Sequence, residues 1–333
     1  MRILTILIAF LSLAEAADKS PKSTRTPSAE AKIGVKTPGV QIPFDHLKPE
    51  AEIASAAKPD WLFFSGDLFA PGAGGIERIN IKTNKKAESI GGLSNPCGGM
   101  ASGFGSLWAP ICGTSSIARI DAKSFKVTAT MPVGVSTVAG VIAASADSIW
   151  MLTDDKTTLA RIDPDQNAVV AEVRVPAGCR NLTFGETALW LACPSANKIL
   201  RINPATNLVE KSIEVSAMPE ALAIGEGSVW ALCSKDGKID RIDPKTNKVS
   251  KTIDLGVPNA RGTIAFGEGY LWVSESGFPL ARIDVASEAV AQQFRGDAEG
   301  AIAISPGAVW LSNTKSNVIW RIDPKRVLAT LPE

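Results

Sequence analysis

Histidine is almost absent from this chain of 333 residues, and the single copy is His46. Imidazole is the side chain that most readily exchanges a proton near neutral pH, so a Ser-His-Asp catalytic triad is not expected. Neither sign of charge dominates, with 35 Lys and Arg against 34 Asp and Glu. A net charge of +1 provides no global field, so we expect neither nucleic acid nor a membrane surface as a partner.

Long apolar runs are also lacking, since a transmembrane helix needs about 20 apolar residues. The run at residues 3–13 is shorter and is followed by Ala14-Glu15-Ala16, a small-x-small pattern typical of signal peptide cleavage. We therefore expect a signal peptide at residues 1–16, a flexible leader at residues 17–39 and a secreted or periplasmic protein. An uncleaved membrane tether is the alternative.

What the sequence does contain is a repeat of about 40 residues, in which a Trp precedes an Arg-Ile-Asp or Arg-Ile-Asn triplet. Successive Trps are 38 to 47 residues apart, which is typical of one four-stranded propeller blade. The sequence thus predicts an all-β fold, a seven-bladed β-propeller of four-stranded antiparallel blades, over residues 40–333. The Trps are Trp61, Trp108, Trp150, Trp190, Trp230, Trp272 and Trp310, and the matching Args are Arg78, Arg119, Arg161, Arg201, Arg241, Arg282 and Arg321.

The fifth repeat shows the four strands of a blade, A to D, most clearly. Strands A and B (221–224 and 228–233) are short apolar runs joined by a Gly-rich turn, and strands C and D (238–243 and 248–255) alternate apolar and polar residues. We expect the Trp of strand B to fill the gap between blades, the acid or amide after Arg-Ile to cap the C–D turn, and the Arg to lie along the outer sheet surface.

The two ends of the chain are expected to meet in the seventh blade and close the ring. Residues 327–331 are predicted to form a short last strand, and residues 40–44 a spare extended segment before a first A strand at Ile53.

Two disulfides follow from the hairpins. Cys97 and Cys112 lie symmetrically about one A–B turn, and Cys179 and Cys193 about another, so each pair should face across antiparallel strands. The position opposite Cys233 is Pro219, which predicts a free and buried thiol at Cys233. There is no C-x-x-C or C-x-x-C-H, so a thioredoxin-type motif and covalent haem are not expected.

Four charged residues stand ten or eleven positions before their Trps, at the expected mouth of the central channel. Arg180, Glu220, Arg261 and Glu299 come from successive blades and alternate in sign. They fit a polar site for a small charged ligand, or a ring of ion pairs between blades. We favour the ion pairs, because the charges cancel.

Other residues on that face are candidates to extend a site. Residues 67–75 resemble an insertion in the first repeat, with an exposed Phe69 that belongs either to a lid or to a tolerated surface loop. An apolar patch around Phe69 and Phe278 would favour a partner protein. The expected B–C loops carry Asp154, Asp155, Asp236, Glu275 and Phe278, but spread carboxylates are weak support for a metal, and no metal or other cofactor is expected.

The repeat has the motif I-G-E-G-S-V-W from Ile224 to Trp230, then R-I-D-P-K-T-N from Arg241 to Asn247. With these motifs the chain resembles the YVTN-type bacterial propellers, in the broad group of streptogramin (virginiamycin B) lyase-like propellers, over about residues 48–333. The lyases imply a His base, a glutamate and Mg²⁺ near the channel mouth. His46 precedes the repeats, so no lyase residue carries over to this sequence.

We therefore expect an exported, monomeric β-propeller that binds a small molecule, peptide or partner protein at the channel mouth, without an evident catalytic centre. The alternative is a metal-assisted lyase or hydrolase of the streptogramin lyase-like group acting at the same mouth.

Overall fold

The computed structural model describes residues 34–37, 39–56, 58–135, 142–153 and 157–330. These residues lie in one compact unit, Ile33–Glu333, and the other unit, Met1–Lys32, lies outside them. The expected signal peptide (1–16) and most of the expected leader (17–39) are therefore outside the described part of the chain. Within that part, no helix has the length and apolar character needed to span a membrane.

The strands form seven sheets, each built on four antiparallel strands, which confirms the seven-bladed β-propeller. Two strands precede the first sheet, β1 (Gln41–Pro43) and β2 (Ala51–Ala54). Blades 1 to 4 contain β3 (Phe63–Ser65), β4 (Asp67–Gly72), β5 (Gly75–Asn80), β6 (Lys85–Lys86); β7 (Ala101–Gly103), β8 (Ser106–Ile111), β9 (Ser116–Asp121), β10 (Val127–Pro132); β11 (Ile142–Ala144), β12 (Ile149–Thr153), β13 (Thr158–Asp163), β14 (Ala168–Arg174); β15 (Arg180–Gly185), β16 (Ala188–Cys193), β17 (Lys198–Asn203), β18 (Leu208–Glu214). Blades 5 to 7 contain β19 (Pro219–Gly225), β20 (Ser228–Cys233), β21 (Lys238–Asp243), β22 (Lys248–Asp254); β23 (Gly262–Gly267), β24 (Tyr270–Glu275), β25 (Phe278–Asp284), β26 (Ala289–Arg295); β27 (Ile302–Ser305), β28 (Ala308–Asn313), β29 (Val318–Ile322).

Helical structure is limited to four short segments among the described residues. Three are 3₁₀ turns, Phe44–His46, Cys112–Thr114 and Pro194–Ala196, and the fourth is α1 (Pro324–Leu328), which begins after its N-cap Asp323.

The second strand of each blade is buried on both faces because a neighbouring sheet packs on each side. Six Trps occupy equivalent positions in these strands and are fully buried, which confirms their expected structural role: Trp108, Trp150, Trp190, Trp230, Trp272 and Trp310. The indole N–H also has a fixed acceptor, such as the carbonyl oxygen of Gly225 at 3.1 Å from Trp230 Nε1. Each indole therefore fills a seam between blades without leaving a polar atom unpaired.

In blade 1 the equivalent aromatic residue is Phe69, and the prediction that Trp61 fills this position is wrong. Phe69 lies opposite Arg78 on the next strand, just as Trp108 lies opposite Arg119 in blade 2. Residues 67–75 are consequently no insertion, since they form β4 and the turn into β5. Phe69 is fully buried rather than exposed, because a Phe at this position is enclosed by the next blade.

The acid or amide after Arg-Ile caps the C–D turn, as predicted. In blade 2, the backbone N–H and the hydroxyl of Ser124 both donate to Asp121 Oδ1, at 2.7 and 2.8 Å. These hydrogen bonds lower the pKa of the Asp121 carboxyl. Equivalent bonds are accepted by Asn80, Asp163, Asn203, Asp243 and Asp284.

Four of the repeated Args donate to the next blade instead of lying along the outer surface: Arg119, Arg161, Arg201 and Arg241. Arg201 of blade 4 donates to the carbonyl oxygen of Pro244 at 2.6 Å and to Asn247 Oδ1 at 2.9 Å, both in the C–D turn of blade 5. The guanidinium also lies 5.5 Å from the centroid of the Trp190 ring. A planar group with five donors can make these contacts at once, which explains its presence at the seams.

The ends of the chain do meet in blade 7, but through other segments than expected. Strand β2, predicted to be an A strand of the first blade, pairs with β29 and supplies the outer strand of blade 7. Strand β1 pairs in parallel with β26 and becomes a fifth strand of blade 6. The predicted last strand at 327–331 is not formed over its described residues, where α1 and the residues up to 330 follow β29.

The packed part of the chain begins before the expected boundary at Val40. The backbone N–H of Gly34 donates to the carbonyl oxygen of Gly256, and that of Val35 donates to Gln293 Oε1. These contacts hold the N-terminal segment against blades 5 and 6.

Both predicted disulfides are present, Cys97–Cys112 and Cys179–Cys193. Cys233 is free and buried, and it lies opposite Pro219 in the strand register, as the sequence predicts. Burial, and then the nearby Asp240 carboxylate, raise the pKa of its thiol.

Candidate functional site

A cavity of about 500 Å³ opens at one end of the central channel. The structure brings all four predicted charged residues to it, each from the start of a different blade: Arg180, Glu220, Arg261 and Glu299. Polar side chains complete the wall, among them Asn181, Asn259, Thr263, Ser276 and Thr314. Since every blade begins at this end, one side chain per blade is enough to surround the channel with polar groups.

The favoured ring of ion pairs is not formed, because only one pair is present among the four. Arg261 Nε lies 3.5 Å from Glu220 Oε2, and the Glu220 side chain is 8% exposed while that of Arg261 is 77% exposed. Glu299 has no ion pair and instead accepts a hydrogen bond from the Ser276 hydroxyl at 2.5 Å. The four charges sum to zero, but only Arg261 and Glu220 are in contact with each other.

Arg180 has no ion pair or hydrogen-bond partner among the described residues. The side chain as a whole is half-buried, but its Nε–H is fully buried and has no hydrogen-bond acceptor among the described residues. This Nε–H group has given up water without gaining an acceptor, which is unfavourable unless a ligand supplies one.

Two further residues, Asp60 and Trp61, also line the cavity. The sequence predicts Trp61 between blades and does not single out Asp60. Trp61 is half-buried and packs against the apolar cluster between blades 3 and 4, and a methyl group at Gly99 would lie 3.7 Å from its ring. Trp61 therefore reaches from blade 1 across the channel. Asp60 retains contact with solvent, yet partial burial in the cavity raises the pKa of its carboxyl.

A signal for Trp61 was present in the sequence. The spacing from Trp61 to Arg78 is 17 residues, against 10 or 11 in the other repeats, whereas Phe69 precedes Arg78 by nine. Allowing a Phe in place of Trp would have corrected the register of blade 1 and released Trp61 for the channel.

None of the predicted extensions of the site that the structure describes lines the cavity. Phe69 and Phe278 are both buried, with 0% and 5% exposure, so they form no exposed apolar patch. Phe278 is the first residue of β25 rather than part of a loop, and Asp236 accepts a hydrogen bond from the Ala217 backbone N–H. Asp154 and Asp155 lie outside the described residues.

Glu275, expected in a loop, is the last residue of β24 and is 1% exposed. Neither carboxyl oxygen has a hydrogen-bond partner among the described residues. Burial raises the pKa of this carboxyl to about 8, because the charged form would be poorly solvated. The Glu275 side chain fits there only because residue 262 is a glycine. A Cβ at that position would lie 2.7 Å from Glu275 Cγ, which is too close.

Over the described residues, no group of three or more His, Cys, Asp or Glu side chains is arranged to hold a metal ion. The chemistry available at the cavity is therefore that of two guanidinium groups, three carboxylates, amides, hydroxyls and an indole.

The fold and the cavity define a class, the seven-bladed β-propellers with a polar site at one end of the channel. A family model described as glutamine cyclotransferase matches residues 109–264, which is less than half of the chain. No curated protein matches the sequence.

Among solved structures, the chain is similar to a streptogramin B lyase, with 20% identity, a TM-score of 0.69, and coverage of 82% of this chain and 96% of that one. It is also similar to virginiamycin B lyase from Staphylococcus aureus, with 19% identity, a TM-score of 0.70, and coverage of 82% and 98%. A chain in the crystal structure of the mitotic checkpoint complex has 11% identity, a TM-score of 0.69, and coverage of 84% and 95%. These likenesses confirm the resemblance to the streptogramin lyase-like propellers as one of fold.

Proposed function

We propose that this chain is a ligand-binding propeller that holds a small molecule or a peptide in the cavity at the channel mouth. The observation that carries the proposal is the state of Arg180. The Args of the repeats are used within the protein, as Arg201 is at the seam of blades 4 and 5. Arg180 is half-buried at the cavity and has no partner among the residues that the structure describes.

The size and lining of the cavity support the same proposal. Its volume of about 500 Å³ falls in the range of about 300–1,000 Å³ that small-molecule sites occupy. A small molecule or peptide is favoured over a partner protein, because Phe69 and Phe278 are buried in the core. We propose that the chain binds its ligand as a monomer.

Two disulfides are compatible with a location outside the cytoplasm. Together with the expected signal peptide at residues 1–16, they support the proposal that this propeller acts in the periplasm or outside the cell.

The test is a thermal-shift screen of the full chain against amino acids, short linear peptides, cyclic peptides, sugars and divalent metal chlorides. We expect at least one class of organic probe to raise the melting temperature of the wild-type protein. The Arg180→Gln variant should lose that shift, whereas Lys245→Gln, which removes an exposed charge at a C–D turn, should keep it. A screen without any shift would contradict the proposal, and so would a shift that both variants retain.

An enzyme acting at the same cavity is the second candidate, a metal-assisted lyase or hydrolase. It is favoured by the structural similarity to streptogramin B lyase and by the Glu220 and Glu299 carboxylates at the cavity. The test is incubation with a cyclic depsipeptide of the streptogramin B type, with and without Mg²⁺, followed by chromatography for a linear product.

A peptide with an N-terminal glutamine belongs in the same assay, because its cyclisation would release ammonia that can be measured directly. If Glu299→Gln abolishes product formation, the enzymatic candidate is supported. If the wild-type protein converts neither substrate, this candidate is lost.

A further inference from the structure

The charges at the cavity are arranged by blade. Arg180 comes from blade 4, while Asp60 comes from the segment entering blade 1 and Glu299 from the segment entering blade 7. Blades 7 and 1 are neighbours, since β27 contacts β3. In a ring of seven, the seam between blades 7 and 1 lies opposite blade 4. The cavity therefore has a cationic side and an acidic side.

The charges between these two sides neutralise one another. Arg261 and Glu220, from blades 6 and 5, form the single ion pair of the cavity. Lys315 pairs with Asp297 and interacts with Glu299 only electrostatically, without an ion pair between them. Within the described lining, the charges without an ion pair are thus Arg180 on one side, and Asp60 and Glu299 on the other.

The two sides suit different chemical groups. A guanidinium with a buried, unused Nε–H donor matches a carboxylate, which can accept two parallel hydrogen bonds from such a group. Carboxylates without a basic partner match an ammonium group, which donates up to three hydrogen bonds. Trp61, which reaches across the channel, offers an indole surface to whatever lies between the two ends.

We propose that the cavity selects a zwitterion of amino-acid or short-peptide size, with its carboxylate at Arg180 and its ammonium group at Asp60 and Glu299. This inference rests on the proposed function, because it assigns the ligand class of the same cavity. A ligand of this kind completes the hydrogen bonds of Arg180 and leaves no charge unmatched across the channel. An anion alone would leave the acidic side without a partner, and a cation alone would leave Arg180 without one.

The experiment is isothermal titration of the full chain with four forms of the dipeptide Gly-Phe: free, N-acetylated, C-amidated, and blocked at both ends. The free dipeptide should bind most tightly, and blocking either end should weaken binding about tenfold or more, since each block removes a hydrogen bond between charged groups. Blocking both ends should weaken it further.

Variants of the cavity residues show which side of the cavity binds the carboxylate of the dipeptide and which side binds its ammonium group. Arg180→Gln should abolish the preference for the free acid over the amide and keep the preference for the free amine. Asp60→Asn combined with Glu299→Gln should do the reverse. Lys245→Gln, far from the cavity in the fold, should keep both preferences.

Equal binding of all four forms, or an acid preference that survives in Arg180→Gln, would overturn the zwitterion while leaving binding at the cavity intact. The zwitterion is also wrong if no form of the dipeptide binds but another class of probe gives a thermal shift that depends on Arg180. If no probe of any class binds, both the zwitterion and the proposed ligand-binding function are wrong.

Discussion

At the scale of the residue, place within the blade decides what a charged side chain does. Arg201 and Arg180 belong to the same blade, yet the first donates to two acceptors in the next blade and the second donates to none. The C strand ends beside the turn of a neighbouring blade, whereas the start of the A strand faces the channel. A residue at the seam contributes to the fold, and a residue at the channel is available to a ligand.

Glu275 differs from the charged residues at the seams and at the channel, because its carboxyl group is buried without a hydrogen-bond partner among the described residues. Its folded-state pKa of about 8 exceeds the ordinary value of 4.5, so the folded protein keeps the proton over a pH range in which the unfolded chain releases it. The stabilisation is fully present below pH 4.5 and is lost as the pH rises through the folded-state pKa near 8.

We expect the free energy of unfolding to fall between pH 5 and pH 8, with a limiting slope of about 1.4 kcal/mol per pH unit from this group. In Glu275→Gln that slope should disappear, because the amide cannot ionise. Urea denaturation at pH 5, 6, 7 and 8 for both proteins measures it, and Glu226→Gln, at an exposed A–B turn, is the control. If the wild-type protein and Glu275→Gln have the same pH dependence, Glu275 does not carry this proton.

At the scale of the element, the strands differ in how their positions are fixed. The B strands are apolar on both faces, and their Trps and the turns beside them fix the register of each hairpin. Strands β1 and β2 are short and carry no repeat motif, so their position depends on which sheet edge is open. The edge of blade 7 is open because α1, rather than a strand, follows β29.

Stepwise removal of the N-terminal segment should separate the roles of these strands. With the chain that begins at residue 34 as the reference, deletion of residues 1–47 should cost several kcal/mol, because it exposes the sites of Val40, Ile42 and Leu47, each worth about 1.5–3 kcal/mol when buried. Deletion of residues 1–56 also removes β2 and opens the ring, so it should cost the most.

Urea denaturation midpoints measure this series. The closure described here is contradicted if removal of residues 48–56, in addition to 1–47, has no further effect on the midpoint.

At the scale of the whole molecule, seven small sheets are stable because each covers its neighbours. No blade can bury both faces alone, so the contacts between blades decide the stability of the ring. The indoles of six blades and the guanidinium groups of Arg119, Arg161, Arg201 and Arg241 lie at these seams, and their repetition spreads the stabilisation around the disc.

A matched pair of substitutions in blade 4 tests this division between seam and channel. Arg201→Gln should lower the free energy of unfolding by about 1–3 kcal/mol, because it leaves the Pro244 carbonyl oxygen without its donor. Arg180→Gln should leave the stability unchanged or raise it slightly, because no bond is lost. Both are measured by urea denaturation without added ligand, and equal losses in the two variants would show that Arg180 has a structural partner.

The sequence by itself determined the number of blades, the pairing of four cysteines and the position of the four charged residues at the channel. Each of these follows from a repeat or from the symmetry of a hairpin, so contacts within about 40 residues are sufficient. Only the tertiary structure decided that Phe69 replaces Trp in blade 1, that β2 closes blade 7, and that Trp61 lies in the channel. These depend on which surfaces meet when the ring closes, over separations of more than 250 residues in the case of β2 and β29, and no local pattern encodes such a contact.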